Sequence, residues 1–360
     1  MSGNNLKDIR QLSLPEIESF FLDTGEPIYK ATQVYEWLWK KTCRSFDEMT
    51  NLSKEIRRKL QEQFSFQTIA VIKEYKSTDG TIKTLFRLHD GLEIEGVLIP
   101  AEGRTTACIS SQVGCALGCR FCATAQLGVK RNLTWTEIFD QVALISEQSR
   151  KYFGSSLSNI VYMGMGEPFL NYENLLASVE KITSEDGLGM SPQRITVSSV
   201  GIPKMIRQMA NDQVKFHFAL SLHTANNAKR DRIIPFNKKY PVEEIIEAVK
   251  YYHQKTKKRI TIEFILFREF NDSLSDAGEL AVFCKNFPVK INLIEYNPVE
   301  NSGFNPPAPA RVRSFFEFLE KKNLVVNIRK SRGKEIDAAC GQLALKASDR
   351  NSESQAMLKS

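Results

Sequence analysis

The sequence predicts an α/β protein: a partial, open parallel barrel of the (β/α)6 type, preceded by a small part made of helices and a β-meander. Two patterns carry this expectation. From about residue 104, strand-like segments alternate with helical ones, and such alternation implies a parallel sheet with right-handed crossovers. Before it, residues 69–76, 82–88 and 92–99 read as strands joined at Asp79-Gly80 and Asp90-Gly91, pairs that favour tight hairpin turns.

The first 65 or so residues read as helices, because 28–39 and 46–64 place apolar residues at helical spacing and Pro27 suits a helix start. After the meander, strands are expected at 105–111, 158–163, 194–199, 215–221, 259–266, 289–296 and 324–330. Helices are expected between them, among them 134–150, where Thr134 and Glu137 form a capping box, and 242–256, 275–286 and 311–322. About six strand–helix units are too few for a closed eight-stranded barrel, so the barrel stays open, with its chemistry at the C-terminal strand ends. The division expected is an accessory part at 1–100, a catalytic core at 101–346 and a disordered tail at 347–360.

The composition is that of a soluble globular chain, with 42% hydrophobic and 25% charged residues over 360 positions. The polar start, broken by Pro15, does not read as a signal peptide, and no apolar run reaches the roughly 18 residues of a membrane span. A cytoplasmic protein without a membrane partner is expected. The net charge of +7 is mild but unevenly placed. Residues 229–259 hold ten Lys/Arg against four Asp/Glu, and 311–346 hold nine against four, whereas the first 65 balance at ten against ten. Either basic run alone is compatible with a solvated helix face.

Four of the seven cysteines fall between Cys108 and Cys122. Within that stretch, Cys115, Cys119 and Cys122 stand at C-x3-C-x2-C spacing, directly after a predicted strand, with Gly114 and Gly118 letting the backbone curl so that three sulfurs converge. Thiolates suit iron–sulfur clusters or zinc. Structural zinc normally takes four protein ligands in two close pairs, whereas three ligands on a 4Fe-4S cluster leave one iron open to a cofactor. A zinc site completed by Cys108 or Cys340 is the alternative. Cys43 and Cys284 lie in helical stretches with apolar neighbours and read as packing residues.

The C-x3-C-x2-C triplet with an aromatic before its last cysteine resembles the radical S-adenosylmethionine superfamily. More narrowly, ISSQVGCALGCRFCATAQLG, YMGMGEP, SLH and IDAACGQL, occurring in that order, resemble the RlmN/Cfr family of RNA adenosine methyltransferases, a likeness that runs from about residue 20 to 346. The resemblance implies a radical S-adenosylmethionine barrel with one 4Fe-4S cluster on Cys115, Cys119 and Cys122, and an external one-electron donor of the flavodoxin kind. It also implies that two S-adenosylmethionine molecules are consumed per methylation. Cys340 would take a methyl group from the first by displacement. A radical made from the second would remove hydrogen from that methyl group, and the resulting carbon radical would add to the adenine ring. Cys108 would then attack Cys340 and release the methylated base through a transient disulfide. Radical addition suits the task, since an aromatic C–H carbon is not nucleophilic, and thiol attack is a low-barrier way to break the protein–RNA bond.

By the same resemblance Gly166 and Glu167 hold the cofactor's amino group, and Ser198, Ser221, Leu222, His223 and Asn297 contact the cofactor. Glu95, in LEIEGVLIP, is the family's proton acceptor. Read without the family, Cys108 would be a small buried strand residue, His223 a hydrogen-bonded structural histidine and Glu95 an exposed meander residue.

The implied partner is RNA, with Lys/Arg on phosphates and the target base flipped into the pocket. The implied targets are 23S rRNA in its peptidyl-transferase region and the tRNA adenosine 3′ to the anticodon, methylated at carbon 2 by a monomeric enzyme. The quoted strings stand nearer the RlmN branch than the Cfr branch, which methylates carbon 8. A non-catalytic metal-cluster protein that binds RNA is the alternative from another class.

Overall fold

The computed structural model of the protein describes residues 6–345, so the tail expected at 347–360 lies outside the described residues. Ten strands form one sheet: β1 (Ala70–Lys76), β2 (Ile82–Arg87), β3 (Glu93–Ala101), β4 (Arg104–Cys108), β5 (Asn159–Tyr162), β6 (Ile195–Ser199), β7 (His217–Ser221), β8 (Ile260–Leu266), β9 (Val289–Glu295) and β10 (Val325–Arg329). Their order in the sheet is their order in the chain, with β1 at one end and β10 at the other. The seven strands from β4 to β10 pair in parallel, whereas β1 to β4 form an antiparallel meander. This is the expected open barrel, with every crossover stepping to the next strand and, among the described residues, both ends of the sheet unjoined.

The meander belongs to the same sheet as the core. β3 pairs with β4 from Val97↔Cys108 to Ala101↔Arg104, so hydrogen bonding runs unbroken through residue 100. Strand composition follows position. β8 is buried on both faces at almost every residue, as a strand covered by helices on one side and by the barrel interior on the other must be.

The first helices are Leu14–Asp23, Tyr29–Trp39 and Lys54–Gln63. The helix expected over 46–64 is divided: residues 46–48 form a single 3-10 turn, and Ser53 starts a new helix by accepting from the Ile56 N–H. The capping box at Thr134 and Glu137 is present and opens the helix Trp135–Phe153. Arg10 ties the helical part to that helix through Asp140 and is almost fully buried there.

The strand expected over 105–111 ends at Cys108. The chain then forms a separate two-stranded hairpin, Gln112–Gly114 with Val129–Asn132, and the cysteine triplet occupies the loop between its strands. Strands of three and four residues are too short to show an alternation, which is why the sequence did not mark them.

Candidate active site

A cavity of about 530 Å³ opens where the parallel strands end. Its walls include Ser198 and Ser199 from the end of β6, Ser221 from the end of β7, Ile265 from β8, Ile294 from β9 and Arg329 from β10. Cys115, Cys119 and Cys122 line it, and so do Cys108, at the end of β4, and Cys340. Five cysteines spread over more than 230 positions of sequence therefore face one space, while Cys43 and Cys284 are buried in the apolar core as expected. All seven are free thiols.

The triplet is held by backbone geometry. The Cys115 N–H donates to Gly128 O (3.0 Å) and the Arg120 N–H to Ile233 O (3.0 Å). Gly114 has φ +80°, and a Cβ there would fall 1.8 Å from Gly128 O, so the hairpin closes only with glycine at that position. Leu117, Phe121, Val200, Ile233, Ile234, Phe267 and Tyr296 pack around the triplet as an apolar cluster. Burial pushes the Cys115 thiol up to about 12 and the Cys119 thiol well above its ordinary value. Such thiols become ligands when a bound metal displaces their protons, which are released on binding.

One buried cation lies behind them. Arg230 donates to the carbonyls of Leu222 (3.1 Å), Val200 and Ser221 and to Asn237 Oδ1 (2.8 Å), and its charge acts on Cys119. The donor set fits a 4Fe-4S cluster with one open iron: three thiols on one loop, a dry apolar surround and a buried guanidinium that offsets negative charge. Among the described residues, no three His, Cys, Asp or Glu side chains converge on a single ion.

Most of the expected cofactor contacts come together. Gly166, Glu167, Ser198, Ser221 and His223 all line the cavity. Ser198 Oγ and Ser221 Oγ lie 2.8 Å apart across the β6–β7 boundary. The Glu167 carboxylate accepts from the N–H groups of Phe169 and Val200, both at 3.0 Å, and burial pushes it up to about 7. His223 accepts the Ile265 N–H at Nδ1 (3.1 Å), and its ring stands edge-on to Phe121 at 4.9 Å. Burial, assisted by the Arg230 charge, pushes the ring down to about 3, so it is neutral.

Two expected contacts stand back from the cavity wall. The Leu222 side chain is in the apolar core, and only its backbone takes part locally, by donating to Glu263 O and accepting from Arg230. Asn297 is buried, and its Oδ1 has no hydrogen-bond partner among the described residues. Glu95 also lies behind the wall. It is fully buried on β3, paired with Lys83 of β2 at 3.1 Å, and its Oε2 accepts the N–H groups of Ala344 (2.9 Å) and Leu345 (3.3 Å).

The sequence reading missed Arg329 and Glu263. They line the cavity together, 3.6 Å apart, and the Arg329 guanidinium stands close to both Cys340 and Cys108. A charged residue inside the apolar run ITIEFIL was the available signal for Glu263, since a strand covered on both faces tolerates a carboxylate only where it has partners.

Fold and site together define a radical S-adenosylmethionine enzyme. Residues 109–281 match the Radical SAM superfamily, and residues 5–66 match the ribosomal RNA large subunit methyltransferase N-terminal domain. The crystal structure of a radical SAM methyltransferase from Sphaerobacter thermophilus superposes with a TM-score of 0.89 at 39% identity, covering 94% of this chain and 99% of that one. A probable dual-specificity RNA methyltransferase RlmN of Christiangramia forsetii is 52% identical over 95% of this chain and 97% of its own. The corresponding protein of Thermotoga maritima is 43% identical over 95% and 98%. The chain belongs to the RlmN family. Its cofactors are those of the radical enzymes, a 4Fe-4S cluster and S-adenosylmethionine. No helix of the described residues is long and apolar enough to cross a membrane.

Proposed function

We propose that the protein methylates carbon 2 of an adenosine in 23S rRNA and of the tRNA adenosine 3′ to the anticodon, with Cys340 as the methyl carrier. The observation that carries this reading is that Cys108 and Cys340 open onto the same cavity as the cysteine triplet. A radical enzyme acting on a small molecule has no use for that second pair.

Cys115, Cys119 and Cys122 would hold the cluster, and the chemistry it would supply there is one-electron reduction of S-adenosylmethionine. The chain's residues do the rest. Glu167, Ser198, Ser221 and His223 form the wall against which the cofactor is oriented, and the apolar surround of the triplet excludes water that would quench a radical. Cys340 takes the first methyl group and delivers it to the ring. Cys108 then closes the transient disulfide that frees the base, so two molecules of S-adenosylmethionine are used per methyl group delivered. Glu95 accepts the ring proton, and for that the segment 344–345 has to withdraw from its carboxylate. The electron comes from a flavodoxin-like donor, and the enzyme works as a monomer in the cytoplasm, where its thiols stay reduced. Its basic runs serve RNA phosphates, and the helices and meander of residues 1–100 serve as the docking part.

The test is anaerobic reconstitution followed by incubation with S-adenosylmethionine, a reductant and rRNA or tRNA fragments, with mass spectrometry of the digested RNA. Carbon-2 methyladenosine is expected on both RNAs. Carbon-8 methyladenosine would move the protein to the Cfr branch, and cofactor cleavage without an RNA product would remove the RNA assignment.

A further inference from the structure

The segment that carries Cys340 crosses the open side of the barrel. It leaves β10, at one end of the sheet, and reaches the β1–β2 turn and β3, at the other. This strap is anchored at the far side by the turn itself. The Glu335 carboxylate accepts from Ser77 Oγ (2.9 Å), Thr78 Oγ1 (3.1 Å) and the Thr78 N–H. In the other direction, Asp79 Oδ2 accepts the Gly333 N–H (3.0 Å), while Asp79 Oδ1 holds its own turn through the Thr81 N–H (2.9 Å). Gly333 has φ +64°, and a Cβ there would come within 2.8 Å of both the Thr81 side chain and Ala338. Turn and strap are thus fitted to each other, five residues before the point where Ala338 leads into Cys340.

We propose that the β1–β2 turn is the latch that seats the strap, which makes Asp79 and Glu335 positioning residues for methyl transfer through Cys340. The strap has little regular structure of its own, apart from one 3-10 turn at Lys334–Ile336, so its position depends on ties to distant residues. Glu335 and its partners are more than 250 positions apart in sequence, and closing so long a loop costs entropy that only specific contacts offset. A reactive sulfur displaced by an ångström loses much of its rate. The meander, which the sequence suggests is an RNA-docking element, thereby also positions the strap of Cys340.

The proposal rests on Cys340 being the methyl carrier, and its test separates the two. Full-length Glu335→Ala, Asp79→Ala and the conservative Glu335→Gln would be compared with the parent in three measurements. These are methylation of Cys340 by S-adenosylmethionine without RNA, 5′-deoxyadenosine formed per methyladenosine, and trypsin cleavage after Lys330, Arg332 and Lys334 in cluster-free protein. The alanine variants are expected to methylate Cys340 about tenfold more slowly, to release more 5′-deoxyadenosine per product and to be cut faster in the strap. Iron content should be unchanged, and Glu335→Gln should recover most of the loss. Parental methylation and cleavage rates in the alanine variants would overturn the latch, and so would a parallel fall in iron content, which marks general unfolding. If Cys340 of the parent never acquires a methyl group, the carrier reading fails. Strap cleavage alone then decides the latch: faster cutting in the alanine variants supports it, and unchanged cutting overturns it.

Discussion

The loop of Cys115, Cys119 and Cys122 and the strap of Cys340 face each other across one cavity, yet they are held by opposite means. The loop is short-range: its hairpin closes within 21 residues, from Gln112 to Asn132, and its side chains pack into an apolar cluster. The strap is long-range and polar: it is held by Glu335 on Ser77 and Thr78, Gly333 on Asp79, Thr124 Oγ1 on Leu343 O (2.7 Å), and Ala344 and Leu345 on Glu95. The two touch where the Ala123 N–H donates to Gly341 O at 2.7 Å. A rigid, dry loop suits residues that hold a cluster in one geometry. A segment tied by exchangeable hydrogen bonds suits a carrier that must take up a methyl group, deliver it and then meet Cys108.

If that contrast holds, damage to the loop should remove the cluster, and damage to the strap should leave it in place. The largest effect is expected from Gly114→Ala. Its Cβ would collide with backbone rather than with a movable side chain, so the reconstituted variant should lack iron and absorbance near 400 nm. Cys340→Ala comes next: RNA methylation should vanish while iron content stays at the parental level. An iron content that fell with it would break the contrast.

The wall against which the loop packs also predicts a pH effect in cluster-free protein. His223 is neutral when folded, at about 3 against an ordinary 6.5. Because the folded value is depressed, the histidine's contribution is present above about pH 6.5 and is lost as pH falls towards 3. It is on the order of 5 kcal/mol. His223→Asn, which keeps an acceptor and tolerates the φ of +58°, should flatten urea-unfolding stability over that window.

On the strap side, Lys83→Met leaves Glu95 buried without its cation and should cost about 3 kcal/mol in the same measurement. Lys334→Ala removes only an exposed pair with Glu295 and should change stability by less than about 0.5 kcal/mol. A larger loss there would mean that the strap is held from β9 as well as from the turn.

All ten sheet strands were readable because each carries its own local signal: apolar runs for the buried parallel strands, and Asp-Gly turns for the meander. The capping box at Thr134 was equally local. What failed was also local in kind. Residues 112–114 are too few to show alternation, and the break between 48 and 54 comes from a serine cap inside an otherwise helical pattern.

The cluster triplet was legible because its ligands lie within eight residues, and Cys108 and Cys340 only because the family motifs pointed to them. The surroundings of Glu95 were not legible: read alone it was an exposed meander residue, and in the structure it is fully buried against Lys83 and the strap.

The ten sheet strands, their order and the cysteine triplet could be read from the chain alone, since periodicity, turn chemistry and ligand spacing act over a few residues. The path of the strap across the open barrel, the lining of the cavity and the partners of Glu95 come from long-range packing. Those contacts join positions up to 258 residues apart. They follow from how the sheet curves and closes its loops, and no local pattern encodes that.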